Sequence, residues 1–327
     1  MFHAWLIDKT DDKIESRYTE IDDKALPEGD VSINIAYSSL NYKDALALIK
    51  GAPVARRFPL VPGIDFAGIV TDSGNPNFKA GDNVILNGWG AGEKYWGGFA
   101  QRARVHGCWL IHKPEGLTLE QAMAIGTAGY TAMLCVMALV KRGVEPEHGE
   151  IIVSGATGGV GSIAVSLLAG MGYKIAAMTG KEQEADYLKS IGAHDIIMRS
   201  EFLQKGKPLE KERWAGAIDV AGGVILANIC AQMQYRGIIA ACGLASGMDF
   251  PATVAPFILR GVSLIGIDSV MCPLAERIEA WNMLSKKLDK TFLAKNTKMI
   301  KLSEAKDKAA EMLSGRLSGR IVIDVNQ

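Results

Sequence analysis

The sequence predicts an α/β protein in two parts, a doubly wound parallel sheet domain and a β-rich domain, and three observations carry that prediction. A glycine-rich turn, Gly155-Ala-Thr157-Gly158-Gly159-Val160-Gly161, lies between a strand-length apolar run at 151–154 and an apolar helical segment. From about residue 150 onward, strand-length and helix-length segments alternate regularly, as parallel β-α-β units require. Before residue 124 the pattern is different: short period-two runs punctuated by Pro59, Pro62, Gly63, Gly74, Pro76 and Gly81.

Taken in chain order, 31–37 alternates at period two, and so does 66–70 around its glycine. Residues 82–86 and 102–105 are further short strands. A helix is predicted after Thr118, with Glu120 and Gln121 in its first turn, running through the apolar stretch to Val140. Strand 151–154, helix 159–171, strand 174–178, helix 181–191 and strand 194–198 follow. Runs at 217–220, 237–242 and 262–267 supply a second set of strands. Residues 274–288 read as an amphipathic helix with Leu274, Ile278, Trp281 and Leu288 near one stripe. The closing run at 320–325 is a strand that pattern alone assigns to neither part.

Composition narrows the function classes. Hydrophobic residues make up 48% and charged residues 22% of 327, which is ordinary globular composition with room for two domains. Lys plus Arg equals Asp plus Glu at 36 each, so no global basic field draws in nucleic acid or an acidic membrane. Two long uncharged stretches, 121–140 and 151–173, have the length of a membrane span. Their glycine and threonine content fits buried α/β core better. The N-terminal apolar run is too short for a signal peptide. Five scattered cysteines (108, 135, 230, 242, 272) read as reduced thiols, mostly core, and point to the cytoplasm.

The glycine turn carries the clearest chemistry. Strand, glycine turn and helix in that order bring backbone N–H groups against a pyrophosphate at a helix N-terminus, the Rossmann dinucleotide arrangement. About 20 residues on, where an acidic residue would accept from a ribose 2′-hydroxyl, stand Thr179, Gly180 and Lys181. Those residues suit a 2′-phosphate, so the expected cofactor is NADP(H).

The succession of a β domain, a Rossmann domain and a C-terminal return resembles the medium-chain dehydrogenase/reductase superfamily. Ala156-Thr-Gly158-Gly-Val-Gly161, Val61-Pro-Gly63-Ile-Asp65-Phe-Ala-Gly68 and Ala80-Gly-Asp82 are similar to its zinc-independent quinone-oxidoreductase branch. More narrowly, Asn41-Tyr-Lys-Asp-Ala-Leu, Gly126-Thr-Ala-Gly-Tyr-Thr-Ala-Met-Leu-Cys, Ala240-Ala-Cys-Gly-Leu244 and Gly266-Ile-Asp268-Ser269-Val resemble the acryloyl-CoA reductase family. The resemblance implies a GroES-like β-rich substrate domain over 1–124, a Rossmann NADP-binding domain over 125–270, and a return to the substrate domain over 271–327. It further implies NADPH-dependent reduction of acryloyl-CoA to propanoyl-CoA, in a homodimer whose sheets continue at an edge near 262–267.

The resemblance also assigns residues. Thr157, Gly158, Gly159 and Val160 are expected at the pyrophosphate, and Thr179, Gly180, Lys181 and Arg199 at the 2′-phosphate. Leu244, Ile258 and Ser269 are expected along the path from adenosine to nicotinamide, with Arg320 a further contact. Tyr42 is expected on both the nicotinamide and the substrate side. Asn41 is expected as a neutral donor to the developing enolate, and Asp44 as a brace for the loop. Arg56 and Arg57 are weighed as coenzyme A phosphate contacts against the commoner reading, a solvated charged loop. The cysteine and Gly-His-Glu of the zinc branch are replaced here by Asn41 or Tyr42 and by Gly63-Ile64-Asp65, so no metal is expected. Two alternatives stay open: an NADPH-dependent quinone or enone reductase with the same hydride geometry, and a non-catalytic NADPH-binding protein of this fold.

Overall fold

Alternating burial along the first strands sets the architecture of the N-terminal half. The computed structural model describes residues 1–11 and 13–327. The chain divides into two units: Met1–Thr127 with Ser269–Ser285 and Leu293–Gln327, and Ala128–Asp268 with Lys286–Phe292.

In the first unit β1 (Phe2–Thr10) and β2 (Lys13–Ile21) form an antiparallel hairpin that local pattern did not announce. β3 (Val31–Ser39) buries Val31, Ile33 and Ile35 on one face, as its period-two pattern requires. α1 (Tyr42–Lys50) follows, ended by Gly51 at φ 69°. Its buried Ala45 and Leu48 join a core cluster that includes Ile33, Phe66 and Leu86. β4 (Asp65–Ser73), β5 (Asn83–Asn87), β6 (Arg102–Val105) and β7 (Leu110–His112) complete the antiparallel part.

α2 (Leu119–Val140) is not the continuous helix expected after Thr118. It breaks at Gly126 (φ 52°, ψ −161°), and the chain passes into the second unit at Thr127–Ala128. A side chain at Gly126 would collide with the Arg320 guanidinium and the Ser39 hydroxyl. The helix is long and apolar enough to cross a membrane, but 89% of its apolar window is buried inside the protein.

The second unit is one parallel sheet. Its elements are β8 (Glu150–Val153), α3 (Gly159–Gly170), β9 (Lys174–Thr179), α4 (Ala185–Ser190), β10 (Asp195–Met198), β11 (Trp214–Asp219), α5 (Gly223–Ala231), β12 (Met233–Ala241), α6 (Ala255–Arg260) and β13 (Ser263–Gly266). The strand order β10-β9-β8-β11-β12-β13 reverses between β8 and β11, the doubly wound arrangement. The helix expected over 181–191 begins only at Ala185, after a single tight turn at 182–184. β11 and β12 start earlier than their apolar runs, at Trp214 and Met233.

The chain ends with α7 (Leu274–Lys287), α8 (Lys290–Lys295), β14 (Thr297–Lys301), α9 (Ala305–Leu313) and β15 (Arg320–Asp324). β15 pairs parallel with β14 and antiparallel with β3, which assigns the closing strand to the first unit. The apolar stripe predicted for 274–288 is buried at Trp281 and Leu288 but rotated in its first half. Leu274 and Ile278 are exposed, and the buried face is Arg277, Ala280, Trp281 and Leu284. Asn87 explains the rotation: its carbonyl accepts from Arg277 Nη1 at 2.7 Å, and its Oδ1 accepts from Trp281 Nε1 at 3.1 Å.

Candidate functional site

In the second unit the glycine turn is held from beneath by a buried carboxylate. Ser154, next after β8, donates to Asp219 Oδ1 at 2.6 Å, and the Gly222 N–H donates to Asp219 Oδ2 at 2.7 Å. Burial raises the Asp219 carboxyl above its ordinary value, with these two bonds working against the rise. The turn then folds so tightly that a Cβ on Gly161 would strike the Gly155 carbonyl oxygen. α3 opens with Gly158 as its N-cap and Gly159 as its first residue. Thr157 is buried, Gly158 exposed, and Gly159 and Val160 half-buried. The turn therefore presents the orphan N–H groups of a helix N-terminus, which suit an anion.

The neighbouring strand ends supply positive charge. Thr179 closes β9 and is buried, and its Oγ1 accepts the Lys181 N–H at 3.0 Å, which shapes the corner. Thr179 is paired with Met198, so Arg199 follows directly beside Gly180. A Cβ on Gly180 would stand 2.9 Å from Arg199 Cζ, so the missing side chain lets the guanidinium lie against the corner. Arg199 is exposed and Lys181 half-buried. Elsewhere in this unit Leu244 and Ile258 leave large apolar side chains 61% and 73% exposed.

In the first unit the Asn41–Asp44 corner is built around buried polar groups. Asp44 Oδ2 accepts the Asn41 N–H at 2.9 Å, and Oδ1 accepts the Ile64 N–H at 2.9 Å. Burial, then repulsion from Asp65, pushes the Asp44 carboxyl up to about 7. Tyr42 is the residue whose ring leaves this corner, 57% exposed at the first position of α1. Lys43 turns away to Glu93 at 2.9 Å.

Two expectations are corrected here. Asn41 cannot serve as a donor to substrate from this arrangement. Its Nδ2, with two hydrogens to give, faces Asp44 Oδ2 at 3.1 Å, Asp65 Oδ2 at 3.1 Å, Ser39 Oγ at 3.2 Å and the Ser39 carbonyl at 3.3 Å. Arg320 is likewise not available to a cofactor phosphate. It is 3% exposed and donates to the Ala124 carbonyl at 2.9 Å, Asn41 Oδ1 at 3.3 Å and Ser39 Oγ at 2.9 Å. Its burial lowers its pKa, and the nearby Asp65 and Asp44 charges oppose that shift. Ser269 is half-buried, and its carbonyl accepts from Arg277 Nη2 at 3.4 Å.

Three residues of evident structural weight received no role from sequence. Asp65 lies inside a quoted family segment, which was a usable signal. Asp219 and Arg277 had none, because a single carboxylate after an apolar run and a basic residue in a helix read as ordinary surface groups.

Comparison with known proteins bears on both units. Residues 27–123 match the family described as alcohol dehydrogenase GroES-like domain, and 159–286 the family described as zinc-binding dehydrogenase. The chain is 50% identical to the probable acrylyl-CoA reductase AcuI of Escherichia coli K12, over 99% of each chain. It is 47% identical to the acrylyl-CoA reductase AcuI of Ruegeria pomeroyi, over 100% of each, and 42% to the putative quinone oxidoreductase YhfP of Bacillus subtilis, over 99% and 98%. The yhdH oxidoreductase of Salmonella enterica, solved in complex with NADP, superposes with a TM-score of 0.97 at 50% identity, covering 99% of both chains. Bacillus subtilis yhfP, solved with NAD bound, gives 0.96 at 42%, with 99% coverage of each.

Proposed function

The chain belongs to the medium-chain dehydrogenase/reductase family, in its acrylyl-CoA reductase branch, and from that premise we propose that it reduces the carbon–carbon double bond of acryloyl-CoA to propanoyl-CoA with NADPH. The observation that carries this reading is end-to-end identity of 50% and 47% with two proteins named for that activity. When bound, NADPH supplies the hydride that the β-carbon of the thioester receives. The second unit's residues fit that cofactor. The α3 N-terminus suits the pyrophosphate, and Arg199 against Gly180, with Lys181 next in sequence, supports a contact to the 2′-phosphate. Thr157 to Val160, Thr179, Gly180, Leu244 and Ile258 are this unit's remaining proposed contacts.

The chain's own work is orientation and charge. Hydride at the β-carbon places negative charge on the thioester oxygen until the α-carbon takes up a proton, so the site needs a polar group beside that oxygen. Tyr42 fills that role best, because its ring is exposed at a helix N-terminus while its neighbours Asn41, Lys43 and Asp44 are committed elsewhere. Asp44 and Asn41 hold the corner.

A catalytic zinc does not fit this donor set. No group of three His, Cys, Asp or Glu able to hold a metal occurs among the described residues. The oxygens of Asp65 face N–H and O–H donors, beside the buried guanidinium of Arg320. Hydride transfer without zinc is the reading this donor chemistry supports. The enzyme works in the cytoplasm, where its five thiols stay reduced, and takes a small-molecule acyl-CoA substrate rather than nucleic acid or membrane. It forms a homodimer by continuing the sheet at the β13 edge, beyond which no further strand lies among the described residues.

The 42% identical relative named as a putative quinone oxidoreductase keeps an NADPH-dependent quinone or enone reductase as the second reading. Loss of reduced-nicotinamide absorbance decides, with acryloyl-CoA, acrylic acid and a simple quinone as acceptors and NADPH or NADH as donor. Saturable turnover with acryloyl-CoA and NADPH is expected. Turnover only with the quinone would replace the substrate assignment, and turnover with none of them would leave a binding protein.

A further inference from the structure

Asp65 and Arg320 are both buried, and two neutral side chains bridge them in parallel. Arg320 Nη2 donates to Ser39 Oγ at 2.9 Å, and that hydroxyl donates to Asp65 Oδ1 at 2.8 Å. Arg320 Nη1 donates to Asn41 Oδ1 at 3.3 Å, and Asn41 Nδ2 donates to Asp65 Oδ2 at 3.1 Å. Donor and acceptor senses agree along both paths, so the guanidinium and carboxylate fix which way the Asn41 amide faces. The same two charged groups also hold the break in α2. Asp65 Oδ2 accepts the Thr127 N–H at 2.8 Å and its hydroxyl at 2.7 Å, while Arg320 Nε donates to the Ala124 carbonyl at 2.9 Å.

Each end of this network has a distinct task. Asn41 is the N-cap of α1, the position directly before exposed Tyr42. Residues 124–127 contain the left-handed break at Gly126, where no side chain fits because Arg320 and Ser39 occupy the space. We propose that Asp65 and Arg320 are the positioning residues of the reductase, a bridged ion pair that holds the Tyr42 corner and the 124–127 break in one register. The role at Tyr42 rests on the acryloyl-CoA reductase reading; the shared register does not.

A buried pair of this kind has large desolvation costs, and removing one partner leaves the other charge uncompensated. That makes it a device for specifying one arrangement, and here both of its outputs lie beside chemistry or chain crossover. Asp44, behind the same corner, is a second buried carboxylate, and its charge helps keep Arg320 protonated. The titratable groups facing it are Asp65 and Arg320.

Asp65→Asn and the milder Ser39→Ala test the proposal in the full-length protein. Ser39→Ala removes one bridge and keeps both charges, so it remains informative if Asp65→Asn fails to fold. Both variants are measured for NADPH affinity, for kcat and KM with acryloyl-CoA, and for amide hydrogen exchange across 40–46 and 124–128. The expected result is unchanged NADPH affinity, little change in KM, and kcat reduced by about tenfold or more in Asp65→Asn, the size of one charge-assisted hydrogen bond. Exchange protection should fall in both segments together in each variant. Wild-type kcat in Ser39→Ala, or protection lost in one segment while the other is untouched, overturns the proposal. If the wild-type protein does not turn over acryloyl-CoA, the substrate reading fails, and the paired exchange result still decides whether the network sets a shared register.

Discussion

The Asn41 amide nitrogen stands 3.1 Å from Asp44 Oδ2 and 3.1 Å from Asp65 Oδ2, so one neutral side chain is shared by two buried carboxylates. Burial, then repulsion from Asp65, pushes the Asp44 carboxyl up to about 7. Unfolded, Asp44 titrates near its ordinary 3.8, so between those values the folded state binds the extra proton. Asp44 therefore contributes stability that is fully present below about pH 4 and lost as pH rises through about 7. At about 1.4 kcal/mol per pH unit, the interval is worth roughly 4 kcal/mol. Urea midpoints of wild type and Asp44→Asn across pH 4.5 to about 8 should diverge in slope, with the wild type losing more. Parallel profiles would mean that Asp44 ionises as freely folded as unfolded.

Lys181 and Arg199 flank Gly180 at the ends of two paired strands. Lys181→Ala should weaken NADPH about tenfold or more, from the roughly 1.5–3 kcal/mol of a charged hydrogen bond to phosphate. NADH, lacking the 2′-phosphate, should be almost unaffected. Fluorescence titration with both cofactors checks this, and an equal loss for each would refute the assignment.

Gly161 has no room for a side chain, because the Gly155 carbonyl oxygen occupies the place a Cβ would take. Gly161→Ala should push the turn off α3 and abolish measurable NADPH binding. The parallel sheet should remain, as read by circular dichroism, since its strands pair without this residue. Tight NADPH binding by the variant would show that the turn does not hold the cofactor.

Tyr42→Phe removes only a hydroxyl from an exposed ring. If Tyr42 provides the polar group beside the thioester oxygen, kcat should fall by about 10²-fold, the lower range for an oxyanion donor. The melting temperature should hold steady. Retention of wild-type turnover and NADPH affinity would remove Tyr42 from the mechanism.

The β13 edge is the proposed dimer seam. Ile265→Lys places a charge where strand addition would bury it, and should yield a monomer by sedimentation velocity. A wild-type protein that already sediments as a monomer would exclude the seam.

The glycine turn, the alternating second unit and the basic corner at Lys181 were all legible in sequence. Each is a local property: a strand ends, a turn needs glycine, and a helix begins within a dozen residues. The helix over 274–287 shows where local reading stops. Its apolar residues favoured a stripe through Leu274 and Ile278, yet Arg277 is buried because the carbonyl of Asn87 awaits it 190 residues away in sequence. Periodicity measures where apolar residues fall, not which polar residue a partner will satisfy.

By itself the sequence determined the fold class, the glycine turn and the family, because these depend on short-range spacing and long matched segments. Only the tertiary structure decided what Asn41 and Arg320 do. The two residues meet across 279 positions, when β15 pairs with β3 and carries the guanidinium into the first unit's interior. There, desolvation makes each donor and acceptor seek a partner, and the pair became internal scaffolding instead of ligand contacts.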